Sequence, residues 1–349
     1  MKKILTLCLY MLMPLGLFAQ QFVEGTSYYL PRTAIQFNVL VERTTTEPGE
    51  LCMYAERFLK KKDVAQQSAT QFRIVGIDIN CLGIRDTSKF FTPNMDAKHS
   101  IVSLKINDDG IILAVNDQPK EQTERTPFVP APKKPALNPH DYMNQDILAA
   151  GSSAKTAELA AQDIYDIRES RSQLARGQAD FMPKDGEQLK LMLANLDTQE
   201  QALLQLFEGV TERDTMEAVF TYVPDREVQR HVLFRFSKRL GLLDEDDLAG
   251  EPYYVGIEDL HAMPSNTAVV EDGKKSKDDA NIYVTLPGKI RLTFSRSEQQ
   301  LLTKELYAAQ FGKTAPLDNE LFGKKLFTRV VYNPITGSVE EIKTEMMKK

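Results

Sequence analysis

The chain has 349 residues and a formal charge of -6, from 43 Lys and Arg against 49 Asp and Glu. A mildly acidic, evenly spread balance argues against a general nucleic-acid binder, and the longest basic block, Lys60-Lys61-Lys62, suits a solvated helix end. The length accommodates one large domain or two to three smaller ones.

Residues 1–20 begin with Lys2 and Lys3, followed by an uncharged apolar run from Ile4 to Phe18. That run is short for a membrane span but has the length and order of a secretory signal peptide, with cleavage expected near Ala19 or Gln20. Cys8 lies inside the run and no small-residue–Cys pair follows it, which argues against a lipoprotein anchor. No later stretch reaches eighteen apolar residues, so no helical transmembrane span is expected after signal removal. Cys52 and Cys81 remain; in an oxidising compartment they could form one disulfide, or both could pack as small apolar side chains.

Residues 21–116 read as a β-rich domain with one short helix. Ile35, Phe37, Val39 and Val41 alternate with Gln36, Asn38, Leu40 and Glu42, the pattern of a half-buried strand, with Pro31 at its start and Pro48-Gly49 at its end. Leu51, Tyr54, Ala55, Phe58 and Leu59 then recur at helical spacing, which predicts a short helix over 51–61. A strand follows over 70–82, with 83–86 leading into a turn. Residues 99–115 predict a hairpin about Asn107-Asp108-Asp109-Gly110. That loop lacks the twelve-residue ligand pattern of a calcium site. Residues 117–141 carry Pro119, Pro127, Pro130, Pro132, Pro135 and Pro139 and read as an extended spacer between domains.

Residues 142–210 predict a long α-hairpin, on which the rest of the chain is arranged. In the first run Leu159, Ala160, Ile164, Ile167, Arg171 and Leu174 lie on roughly one side; in the second Leu189, Met192, Leu193, Leu196, Leu203, Leu206 and Phe207 do so. Asp185 and Gln188 form a capping pair before the second run. Gly151 to Thr156 faintly resembles a phosphate loop but lacks its leading Gly and spacing, so Ser152 or Ser153 is read as a helix cap. Arg168, Arg171 and Arg176 are expected to pair with acidic residues of the opposing helix.

Residues 211–349 return to strand patterning. Ala218, Phe220 and Tyr222 share one face; Ile290, Leu292 and Phe294 share another; 299–312 reads as strand; and Asn333-Pro334-Ile335-Thr336-Gly337 turns a last hairpin. There is also an internal echo. Leu30-Pro31 ahead of one alternating strand matches Leu286-Pro287 ahead of another, and the segments YAERF and YAAQF follow them.

No strong catalytic or metal motif is present. The four histidines, His99, His140, His231 and His261, form no pair at metal spacing. The best local cluster is Glu258, Asp259, His261 and Ser265, an acid, a base and a hydroxyl that could support hydrolysis if the fold aligned them. Asp244, Glu245, Asp246 and Asp247 could hold calcium, although most such runs are solvated turns. Tyr28, Tyr29, Tyr253 and Tyr254 could stack on a sugar or a partner protein if exposed.

The segment YYLPRTAIQFNVLVERTTTEPG with YAERFL after it, IRESRSQLARG followed by PKDGEQLKLML, AAQFG, and the closing VVYNPITGSV together resemble a family of exported, uncharacterised proteins from Bacteroidetes. The resemblance covers nearly all of the mature chain. It implies export to the periplasm or the outer-membrane surface of a Gram-negative bacterium, favours no enzyme class and carries no assigned site residues.

The expected fold is α+β, with mainly antiparallel β regions flanking the long antiparallel α-hairpin. The expected function is a non-catalytic cell-envelope module that binds an unidentified envelope protein or glycan, without a cofactor. An exported hydrolase with its site near His261 is the alternative, and a structural component of an envelope assembly is the third reading. Homo-oligomerisation stays open.

Overall fold

A computed structural model describes residues 27–94, 99–121, 125–133, 135–180, 182–183, 185–264 and 280–347. The fold is α+β. Its first sheet has the order β2-β1-β5 and is antiparallel throughout, built from β1 (Tyr28–Glu47), β2 (Ala69–Phe91) and β5 (Val210–Tyr222). The second has the order β10-β9-β8-β6-β7, from β6 (Val228–Ser237), β7 (Gly241–Leu243), β8 (Glu251–Ala262), β9 (Tyr283–Arg296) and β10 (Gln299–Pro316). The third has the order β12-β11-β4-β3, from β3 (Leu104–Ile106), β4 (Ile112–Val115), β11 (Leu326–Tyr332) and β12 (Val339–Met346). The strand pairing crosses the divisions read from sequence, because β1 joins β5 and β4 joins β11.

Two cores share the same two long strands. The alternation of β1 places Ile35, Phe37, Val39 and Val41 against Phe234 of β6, Val255 and Ile257 of β8, and Ile290, Leu292 and Phe294 of β9, as in a sandwich of the first two sheets. The opposite ends of β1 and β9 enter a second core, where Tyr28, Leu30, Val284 and Ile282, the residue just before β9, pack on Ile112, Val115, Val330 and Tyr332 of the third sheet. In the first core Phe234 stacks between Phe220 and Tyr253, with ring centroids 4.7 Å away on each side.

Between the cores each long strand carries a proline. Proline has no N–H to give to a ladder, so the partner strand bulges there. Opposite Pro31 the register jumps from Tyr29↔Phe90 to Pro31↔Arg85, and opposite Pro287 it jumps from Ala308↔Gly288 to Lys313↔Leu286. The leucine–proline echo therefore has a structural counterpart. Its second half does not, since Tyr54 to Phe58 is mainly helical whereas Tyr307 to Phe311 belongs to β10. The turn expected at 83–86 is also absent. β2 runs on to Phe91, because residues 82–85 keep their register against Pro31 to Ala34.

The waist between the cores is closed by Thr33 and Gln310. The Thr33 amide donates to Gln310 Oε1 at 2.9 Å, and Gln310 Nε2 donates to Thr33 O and Pro224 O, each at 2.8 Å. The Thr33 hydroxyl accepts from the Ala309 amide at 3.0 Å and donates to Ile335 O at 3.0 Å. Backbone contact is close enough here that a Cβ on Gly312 would lie 1.8 Å from Leu286 O, and one on Gly83 1.8 Å from Pro334 O.

The helical part is an arm with its own core. α1 (Ala55–Leu59) and a preceding 3-10 turn (Cys52–Tyr54) pack with α2 (Gln145–Leu148) against the foot of α3 (Ser153–Arg176) and α4 (Gly186–Glu208), burying Leu51, Ala55, Ile147, Ala160, Ile164, Leu203 and Phe207. Ser152 caps α3 by accepting from the Lys155 amide, and Asp185 caps α4 by accepting from the Glu187 amide. Arg168 and Arg171 both reach the buried Glu200 carboxylate at 2.6 Å, and Arg171 also bonds Asp197 at 2.6 Å. Among the described residues no helix is long and apolar enough to cross a membrane.

The proline-rich segment is more than a spacer. Arg125 bridges Glu217 of β5 at 2.5 Å and Asp78 of β2 at 3.3 Å, and Lys133 reaches Asp214 of β5 at 2.7 Å. Carboxylates on the sheet therefore hold the basic residues between the prolines, and the segment lies along the first sheet as a strap.

Candidate binding site

The sequence-predicted residues are not gathered into one place. His261 is the penultimate residue of β8, with φ 50°, and its Nδ1 lies 3.2 Å from Asp259 Oδ2, but the side chain is 81% exposed. Glu258 points to the other face of β8, where it bonds Arg291 at 2.8 Å. Ser265 lies outside the described residues. Asp244, Glu245, Asp246 and Asp247 form the exposed turn between β7 and β8, in which Asp247 Oδ1 accepts from the Ala249 amide at 2.9 Å and Arg235 Nε donates to Glu245 O at 2.7 Å. Among the described residues no group of three or more His, Cys, Asp or Glu is arranged to hold a metal ion. Cys52 and Cys81 are free thiols in separate packing groups, one at the arm's foot and one in β2, where burial pushes the Cys81 thiol upward.

The tyrosines singled out for stacking are also placed otherwise. Tyr28 and Tyr253 are core residues at 0% and 4% exposure. Tyr28 accepts from the Tyr283 amide at 2.7 Å, and burial raises its hydroxyl pKa. Arg85 covers the Tyr29 ring and Arg230 covers Tyr254.

A concavity of about 450 Å³ lies beside the acidic turn, lined by Phe220, Leu233, Phe234, Asp244, Glu245 and Asp246. Two others are larger. The larger, about 820 Å³, sits at the foot of the arm and is lined by Lys60, Lys61, Lys62, Thr46, Glu208 and Thr211. Its lysines are already engaged: Lys60 donates to Arg57 O at 3.1 Å, Lys61 pairs with Glu208, and Lys62 lies 3.6 Å from Glu56.

The second, about 500 Å³, lies on the outside of the waist. Leu286, Pro287 and Tyr307 form its apolar floor, with Pro264 at one margin. Tyr307 pairs with Lys289 just before the β10 bulge, and the residue stays 45% exposed. The opposite wall comes from the β11–β12 turn and from β12. There Asn333 Oδ1 accepts from the amides of Ile335 and Thr336 at 2.9 and 3.0 Å, which fixes the turn. Its Nδ2 donates to Glu340 Oε1 at 2.8 Å, and the hydroxyls of Thr336 and Ser338 lie 2.8 Å apart. Lys120 stands 3.3 Å from Glu340, and Lys343 2.5 Å from Glu341, whose carboxyl it holds below the usual carboxylate range. The groove thus joins an aromatic surface to oriented amide, hydroxyl and carboxylate groups on strands and a tight turn. Reading the sequence alone misses it, because Tyr307 and its facing wall are separated along the chain and meet only through the waist.

No curated protein and no solved structure matches the chain. A family model, described as a domain of unknown function (DUF4831), matches residues 24–340. With that span covering most of its length, the chain belongs to the DUF4831 family.

Proposed function

We propose that the protein is a non-catalytic module of the cell envelope that binds an envelope protein or glycan, and that the waist groove holds the ligand. The supporting observation is the groove's composition. A small apolar floor with convergent polar groups on rigid elements is the usual make-up of a ligand site. The bonds at Thr33 and Gln310 brace it, so its two walls are held at a set distance. The N-terminal apolar run supports export, and the arm is suited to spacing the β body from a neighbouring surface.

The test is retention of envelope extract on the immobilised mature chain, compared with a Ser338→Trp variant that fills the groove. Parallel extracts are treated with protease or with periodate. Retention that the variant abolishes supports the reading, and the treatment that removes it gives the ligand class. Retention equal on both chains overturns the assignment of the groove.

A further inference from the structure

We propose that the groove takes a saccharide, with one face of an uncharged pyranose ring lying on Tyr307 and its hydroxyl groups bound by Glu340, Asn333 and Ser338. This rests on the groove being the binding site proposed above. The ring face is the first reason. Tyr307 lies beside Pro287 and Leu286, and its half-exposed ring is the aromatic member of the groove lining. Such a surface matches the C–H face of a pyranose, which is apolar while its rim is polar.

The facing wall is the second reason. Asn333 uses its Oδ1 inside its own turn and presents its amide NH2 group next to the Glu340 carboxylate at 2.8 Å. A side-by-side donor and acceptor of this kind matches adjacent ring hydroxyls, each of which can donate and accept. The coupled hydroxyls of Thr336 and Ser338 extend the same pattern.

Charge is the third reason. Glu340 and Glu341 are countered by Lys120 and Lys343, so these four side chains carry no net charge. An anionic sugar would compete with Glu340 and Glu341 for the lysines. An amino sugar would compete with the lysines for the carboxylates. An uncharged ring disturbs neither pair.

The experiment is saturation-transfer NMR of the full mature chain with three sets of probes: uncharged gluco-, manno- and galacto-oligosaccharides, their uronate counterparts, and amino-sugar oligomers. The expected result is transfer to ring C–H protons of at least one uncharged series. Tyr307→Ala should weaken that binding by about tenfold or more, and Tyr307→Phe should retain it. Because Tyr307 is 45% exposed, Tyr307→Ala should leave the melting temperature near that of the parent, which separates lost binding from lost folding. Glu340→Gln, which keeps the shape but removes the charge, should weaken binding less than Glu340→Ala. Binding restricted to uronate or amino-sugar probes, or unchanged in Tyr307→Ala, overturns the proposal. A groove-dependent ligand that protease destroys, with no sugar bound, overturns the saccharide assignment and leaves the binding-module reading standing.

Discussion

In β1 the proline stands at residue 31 and in β9 at residue 287, and in each hairpin the partner strand leaves its register opposite it. The two bulges are then completed differently. Around Asp86 the polar groups are satisfied locally: the amide and hydroxyl of Ser88 donate to Asp86 Oδ1 at 3.0 and 2.6 Å, and Lys89 lies 3.8 Å from Asp86 Oδ2. The bulge at Ala309 to Gly312 is completed by another strand, through Thr33 of β1. A proline removes one donor in either case. What the displaced partner bonds to decides whether the bulge is a local bend or a joint between two cores.

The joint in β10 is most sensitive at Gly312. Its missing Cβ leaves room for Leu286 O, so Gly312→Ala should cost about 3–5 kcal/mol or prevent folding. Gly151→Ala, in open space, should be close to neutral in the same urea titration. Gln310→Ala comes next. It removes one acceptor and both donations across the waist and should cost about 2–3 kcal/mol, with hydrogen exchange accelerating in both cores. Asp86→Ala should cost about 1 kcal/mol, with faster exchange confined to the end of β2, because its bonds are local. Equal costs for Gln310→Ala and Asp86→Ala would remove the distinction between joint and bend.

Acid gives the smallest effect. Hydrogen bonds from Arg125 hold the Glu217 carboxyl below its usual range, and hydrogen bonds from Lys133 and Arg43 do the same for Asp214. A carboxyl depressed in the folded state stabilises it above the unfolded value, about pH 4, and that contribution is lost as pH falls through the lower folded value. Below about pH 4 the strap should loosen, seen as faster pepsin cleavage between residues 125 and 133. Glu305 is likewise held low by Lys289 and Arg291, but those partners lie within the β9–β10 ladder, so acid should free no segment there.

Much of the fold was legible where the controlling physics is local. The alternation from Ile35 to Val41, the caps at Ser152 and Asp185, and the pairing of Arg168 and Arg171 with acidic residues could each be read within one element or one turn. Glu200 as the shared partner of Arg168 and Arg171 could not, since register between helices depends on how their apolar stripes meet. The strap was missed because proline content indicates an extended backbone and says nothing of the carboxylates waiting on β2 and β5. The groove was missed for a similar reason. An exposed tyrosine and a buried one look alike in a strand pattern, and Tyr28 and Tyr253 were the more prominent.

The bond from the Thr33 hydroxyl to Ile335 O joins residues 302 positions apart. On a ribosome, β1 would emerge early and then wait for nearly the whole chain before its last partners arrived. Such non-local closure slows folding and leaves strand edges open in the interval. The pair α3 and α4 has no such delay, since the two helices follow each other closely and each has its own N-cap, although α1 at residues 55–59 joins their core from far upstream. It should therefore form first, as a local hairpin, with the β body closing only after synthesis has passed the last turn.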